Sequence, residues 1–296
     1  MLVHTGDFTN FGTYTEVEDF VQWMGAQPHS IKIVVPGNHD MIMDQVYWNA
    51  FWSDWSDEHV EGDDVKIKTL FKEHGIDLLI DERLDISVPI VKSAKGSSSS
   101  NSTHSSSNSS TCSSKSPDAE ELKHPLLRHD TPPATVHDSN SGAIDDASVP
   151  PSSTLSIYGS PWVTKYASWS TAFNKVPSDM EAHWKRTLQK IQSHSTGHVD
   201  VLLTHMPPQS VGDMEPNGEK KGCPYLLNMV EILSPTVHVF GHVHSDAGWG
   251  KIVGKKKGRE TQCFNAASVC DYYFLRPNPV TFEVSARNSW SSSKLD

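Results

Sequence analysis

The sequence lacks an excess of positive charge. Its 296 residues carry 25 Lys and Arg against 36 Asp and Glu, a formal net charge of −11. Non-specific nucleic-acid binding needs a basic surface, so no nucleic-acid partner is expected. A small anionic substrate is not excluded, because bound cations invert the local field. No apolar run approaches the ~18 residues of a membrane-spanning helix, so no membrane partner is expected. No signal peptide is visible, although N-terminal targeting stays open. Cysteine is scarce: Cys112, Cys223, Cys263 and Cys270 are all there is, with no Cys-x-x-Cys pair. That argues against a zinc ribbon or a thioredoxin-like site and for reduced thiols in a cytoplasmic protein.

Apolar residues make up 36% of the chain, and one segment explains the low figure. Between residues 93 and 116, 14 positions are Ser, and polar, Pro-containing sequence continues to about Ser153. Such a composition buries too little apolar surface to offset its ordering entropy. Residues 93–154 are therefore expected to be a disordered Ser/Pro-rich insertion in one domain built from residues 1–92 and 155–285, with a flexible tail at 286–296. His104, His124, His129 and His137 lie in the insertion and read as solvated side chains.

Strand and helix signals alternate in the flanking stretches. Ile31 to Val35, Val201 to Leu203 and Val237 to Phe240 are short β-branched runs that read as buried strands. Thr15 and Glu18 suggest a capping box ahead of Phe20, Val21 and Met24, and Ser178 with Glu181 suggest another ahead of Trp184, Leu188 and Ile191. Pro224 is placed to open a third helix. The expected class is α/β, a layered domain with its sheet inside.

These three strands, and a fourth read at Leu2-Val3, end in side chains that bind cations. Leu2-Val3 runs into His4-Thr5-Gly6-Asp7-Phe8-Thr9-Asn10, and Val34-Val35 into Pro36-Gly37-Asn38-His39-Asp40. Leu202-Leu203 runs into Thr204-His205, and Val239-Phe240 into Gly241-His242-Val243-His244. Ligands of α/β sheets bind beyond the carboxyl ends of the strands, so the four ends would converge on one cleft. Gly6, Gly37 and Gly241 would let the chain turn there. Taken singly, Asp7 and Asn38 also suit turns, and the histidines suit satisfied strand ends. A carboxylate, an amide oxygen and several imidazoles without thiolate suit Mn, Fe or Zn.

Gly6-Asp7…Asn10, Gly37-Asn38-His39-Asp40, His205 and Gly241-His242-Val243-His244 resemble the calcineurin-like metallophosphoesterases. Tyr158-Gly159-Ser160-Pro161-Trp162, Thr204-His205-Met206-Pro207-Pro208 and Asn265-Ala266-Ala267-Ser268 resemble the branch of metallophosphoesterase-domain-containing proteins. The resemblance implies two packed β-sheets flanked by helices. It implies two divalent cations bridged by Asp7, one site completed by Asn38, His205 and His242, the other served by His244. It also implies that His39, with Asn10 and Asn38, faces a small phosphate-ester substrate. The reaction implied is hydrolysis of a phosphoric ester, a phosphodiester such as a cyclic nucleotide, by hydroxide held between the cations.

Members of that family carry an Asp-x-His motif on a preceding strand, and this chain starts inside what reads as the second strand. The fold is expected to miss its first strand, and the first cation site to keep only Asp7 and His244. One cation and little or no phosphodiesterase activity, or an inactive metal- or nucleotide-binding module, are then expected, with recovery once an upstream Asp-x-His strand is restored. Asp57-Glu58-His59 follows no apolar strand and reads as a loop. Trp162 reads as core, while Tyr166 and Trp169 are candidates for stacking on a base. Lys255-Lys256-Lys257-Gly258-Arg259 reads as a hairpin tip.

Overall fold

The computed structural model describes residues 1–54, 64–89, 152–165, 170–270, 274–275 and 279–284. Tyr166, Trp169, Asp57-Glu58-His59, residues 93–151 of the expected insertion and the expected tail lie outside the described residues.

The chain begins with β1 (Leu2–His4), α1 (Tyr14–Gly25), β2 (Lys32–Val34), α2 (Gln45–Phe51), α3 (Asp64–Glu73), β3 (Asp77–Leu78) and β4 (Glu82–Pro89). It continues through β5 (Ser152–Ser160), β6 (Val163–Thr164), β7 (Asn174–Lys175), α4 (Pro177–Ser193) and β8 (Val201–Thr204). It closes with α5 (Pro224–Leu233), β9 (Val237–Phe240), β10 (Gly248–Val253) and β11 (Glu260–Asn265). Strands β1, β2 and β3 form a parallel three-stranded sheet. A six-stranded sheet has the order β10-β11-β9-β8-β5-β4, parallel through its middle and antiparallel at both edges. Strands β6 and β7 pair separately.

Successive side chains of a strand point to opposite faces, and here both faces are apolar. Ile33 and Val35 join Ile157, Val201, Leu203, Val237 and Val239 in a core between the two sheets. Val34 turns the other way and packs with Val17, Val21 and Met24 of α1 and Phe71 of α3. Tyr158 and Leu202 turn away in the second sheet and pack with Met180 and Trp184 of α4 and Leu226 and Met229 of α5. The result is the expected α/β sandwich, two packed sheets with helices on their outer faces. Among the described residues no helix is long and apolar enough to cross a membrane.

Three local expectations change. The capping box of α1 is Thr13 with Glu16, two residues before the expected pair. Thr13 has the extended backbone (φ −71°, ψ 156°) that lets its hydroxyl reach back, whereas Thr15 is already inside the helix. Helix α4 starts at Pro177 without a side-chain cap, because the proline ring presets the first turn ahead of Ser178. Residues 152–154, placed in the insertion by composition, begin β5 because Ser152 pairs with Pro89 across an antiparallel ladder. Helix α5 opens at Pro224 as expected, with the Cys223 thiol accepting the Leu226 N–H at 3.4 Å. The basic run is the turn between β10 and β11, with Gly258 at φ 76°.

His238 lies in the middle of β9 with no exposed surface. Thr204 Oγ1 donates to the Met206 carbonyl at 2.7 Å, so it accepts from His238 Nε2 at 2.8 Å. The other ring nitrogen, Nδ1, is buried without a hydrogen-bond partner among the described residues. Burial pushes the His238 pKa down to about 3 from the usual 6.5. The unfolded chain takes up this proton near pH 6.5, the folded chain only near pH 3, so the contribution to stability is full above 6.5 and declines below it. The loss approaches about 1.4 kcal/mol per pH unit for one such group. Urea unfolding at pH 7.5 and pH 5 should show a smaller acid loss in His238→Gln than in the wild type. Equal losses would remove His238 as a source of acid sensitivity.

Candidate metal centre

The four motifs meet where β1, β2, β8 and β9 end. His205 follows β8 and is 1% exposed. Its Nδ1 donates to the Thr5 carbonyl at 2.7 Å, which leaves the Nε2 lone pair on the other side of the ring. Nε2 lies 3.0 Å from Asn38 Oδ1 and 3.1 Å from Asp7 Oδ2. Asp7, His205 and His242 each offer a ligand atom within 4.8 Å of the others. The His205 and His242 rings stand edge to face, 5.0 Å apart.

Tight turns make this approach possible. Gly6 has φ 98°, and a Cβ there would collide with the Gly37 backbone and the His205 ring. A Cβ on Gly37 would collide with the Asp7 carboxylate and the same ring. Gly241 has ordinary space around it, and the left-handed residue of that turn is His242, at φ 68°. Asp7 is left-handed as well, at φ 56°. Such backbone costs about 1–3 kcal/mol for residues other than Gly and persists where surrounding structure enforces it.

The charges are arranged for a cation. Burial alone would raise the Asp7 pKa, but His205, His39 and His242 hold it well below the usual carboxylate range. Burial, reinforced by His205, pushes His242 down to about 3, so its imidazole is neutral and its lone pair is available at neutral pH. Burial opposes the charged form of His205, yet Asp7 outweighs it and raises that pKa. Asn38 Oδ1 and Asp7 Oδ2 both face His205 Nε2 at about 3 Å, so that nitrogen carries either a proton or a cation. The donor set of carboxylate, amide oxygen and imidazoles fits a divalent ion of the Mn, Fe or Zn kind.

The expected residues do not all gather equally. Asp7, Asn38, His205 and His242 come together. His244 opens a short 3₁₀ turn (His244–Asp246) outside that group, though close enough for its charge to disfavour protonation of His242. His39 is exposed; its backbone N–H donates to Asp7 Oδ1 at 2.9 Å and its Nδ1 lies 3.0 Å from the Asn10 carbonyl. Two depressions flank the group. One, of about 390 Å³, is lined by Asp7, Thr9, Asn10, Glu16, Phe20 and Trp23. The other, of about 240 Å³, is lined by Asn38, His242, Thr164, Thr171, Asn174 and Lys221. Trp162 lines neither; its indole N–H donates to Asp81 at 2.7 Å while the ring packs on the core.

Sequence reasoning quoted Asp40 and assigned it no task. It is fully buried and accepts four hydrogen bonds. Oδ2 takes the N–H of Asp7 at 2.9 Å and of Gly37 at 2.6 Å; Oδ1 takes the N–H of Thr9 at 3.0 Å and its hydroxyl at 2.8 Å. One carboxylate thus ties the loop carrying Asp7 to the loop carrying Asn38. Burial, then the charge of Asp7, raises its pKa to about 7. Asn265 does related work for the His242 loop, its amide donating to Val243 at 2.7 Å and Gly212 at 2.9 Å. No spacing rule points to either role; both depend on which loops the fold makes neighbours.

Residues 1–246 match the family model described as calcineurin-like phosphoesterase. The chain belongs to that family. Members of this calcineurin-like family use divalent metal ions, in keeping with the Asp7, His205 and His242 group. The chain is 28% identical over 281 residues to human metallophosphoesterase domain-containing protein 1, covering 94% of this chain and 62% of that protein. It is 29% identical over 296 residues to a UPF0046 protein of Caenorhabditis elegans, covering 96% of this chain and 54% of that one. A second UPF0046 protein of that species is 27% identical over 292 residues, covering 96% and 72%. The chain thus spans little more than half the length of some of the curated relatives it matches.

Asp40→Asn turns an amide toward two of the four donors. It should weaken Mn²⁺ binding about tenfold or more in titration calorimetry, the usual effect of losing a group that orients ligands. Unchanged affinity would show that the two loops hold their places without this carboxylate.

Proposed function

We propose that the protein hydrolyses small phosphoric esters, phosphodiesters such as cyclic nucleotides among them, with divalent cations held at Asp7, Asn38, His205 and His242. The reading rests on one observation: the ligand atoms of Asp7, His205 and His242 lie within 4.8 Å of one another beyond the ends of strands from both sheets. His244 is proposed to serve a second cation.

A bound cation would supply Lewis acidity, lowering the pKa of water and offsetting charge that builds on a phosphoryl group. The remaining steps fall to the chain. The Thr5 carbonyl fixes the His205 tautomer, so that Nε2 is the ligating atom. Asp7 and Asn38 add oxygen ligands held by the Asp40 carboxylate and the turn at Gly37. His39, anchored through Nδ1–H on the Asn10 carbonyl, is left with Nε2, which in the doubly protonated ring can donate to a phosphoryl oxygen or give its proton to the departing alcohol. Thr164, Thr171, Asn174, Glu215 and Lys221 line the depression where the rest of the ester would lie, with Lys221 paired to Glu219 at 2.5 Å.

A second reading is a metal- or nucleotide-binding module. The position of His244 outside the gathered group favours it, because a second cation then has fewer ligands ready. Metal analysis and turnover of bis(p-nitrophenyl) phosphate with Mn²⁺ separate the two. The hydrolase reading expects bound metal, chelator-sensitive turnover, and a drop of at least about 100-fold in His205→Ala and His242→Ala. Stoichiometric metal without turnover of any diester favours the binding module; absence of bound metal overturns the hydrolase and the metal-binding module alike.

A further inference from the structure

The Glu16 carboxylate does more than close helix α1. In a capping box the glutamate receives the backbone N–H of the N-cap residue. Glu16 does so, taking the Thr13 N–H at 3.0 Å and the Thr13 hydroxyl at 2.9 Å. It also receives the N–H of Asn10 at 3.1 Å and that of Phe11 at 3.2 Å. These two donors lie ahead of the helix, and closing the helix does not require them.

Their consequence is felt at Asn10. The peptide that follows Glu16's grip carries the Asn10 carbonyl, and that carbonyl lies 3.0 Å from His39 Nδ1. A carbonyl can only accept, so the ring hydrogen is on Nδ1 and Nε2 is the nitrogen left for a ligand. Glu16 and Asn10 line the same depression as Asp7. The His39 backbone is separately tied to Asp7 by its N–H at 2.9 Å. The main chain of His39 thus hangs on a metal-ligand residue and its ring on a peptide that Glu16 holds.

We propose that Glu16 is a positioning residue for His39: by clasping the Asn10–Thr13 loop it fixes the Asn10 carbonyl, and so the tautomer and direction of the imidazole. The effect on turnover rests on the phosphoester reading; the effect on the tautomer does not. The competing explanation is that Glu16 serves the helix cap alone. Thr13→Ala separates the two, since it removes the hydroxyl cap and leaves the Asn10 and Phe11 bonds in place. Glu16→Gln keeps one oxygen able to accept the Asn10 N–H and serves as the conservative variant if Glu16→Ala does not fold.

The experiment uses the full chain and its Glu16→Ala, Glu16→Gln and Thr13→Ala variants. Side-chain ¹H–¹⁵N spectra at pH 9, where free imidazole is neutral, report the His39 tautomer. Steady-state kinetics with Mn²⁺ and bis(p-nitrophenyl) phosphate report kcat and KM. The proposal expects one Nδ1–H tautomer in the wild type and in Thr13→Ala, and a mixture in Glu16→Ala. It expects kcat to fall about tenfold in Glu16→Ala with KM within roughly twofold, and Glu16→Gln to recover most of the loss. It is overturned if Glu16→Ala keeps the single tautomer, or if Thr13→Ala reproduces the whole effect. Absence of wild-type turnover would sink the phosphoester reading, while the tautomer comparison would still decide the case for Glu16.

Discussion

A carboxylate oxygen of Asp7, the amide oxygen of Asn38 and an imidazole nitrogen of His205 crowd one point from three loops. Like poles at that range repel, and burial removes the water that would soften the repulsion. The arrangement holds when His205 Nε2 carries a proton or a cation. Much else near the site reads as the means of holding that contact shut: left-handed backbone at Asp7 and His242, glycines with no room for a methyl group, and an N–H-rich cradle around Asp40.

The sandwich supplies the rigidity. Apolar side chains from β2, β5, β8 and β9 fill the space between the sheets, and close-packed interiors deform little. Loops leaving those strands therefore start from fixed points. What remains is to connect loop to loop, and side chains with several acceptors or donors do it: Asp40 between the first two motifs, the Thr5 carbonyl to His205, Asn265 behind the fourth, Glu16 around Asn10. Each link joins residues far apart in the chain or across a turn, so the site is assembled by tertiary structure.

That division explains what could be read from the sequence. The strands before Asp7, Asn38, His205 and His242 are short β-branched runs, and their period is visible without coordinates. So were the layered class, the helix at Pro224 and the turn at Gly258. Helix starts were less legible, because two Thr-x-x-Glu pairs overlap between Thr13 and Glu18 and only the backbone conformation chooses between them. Asp40 stood in plain view in its motif, but its four donors come from residues whose proximity is a property of the folded chain. His244 was assigned to a second cation by resemblance alone, and it opens a 3₁₀ turn outside the group formed by Asp7, His205 and His242.

The ladder between β4 and β5 has a further meaning. Pro89 and Ser152 sit opposite each other at its end, so the two described ends that flank residues 90–151 are held at adjacent points of the sheet. The metal-binding loops follow β1, β2, β8 and β9, none of which borders that gap in the described chain. A change in the length of sequence between those two anchors therefore leaves the register of the ladder, and with it the fixed starting points of the metal-binding loops, in place.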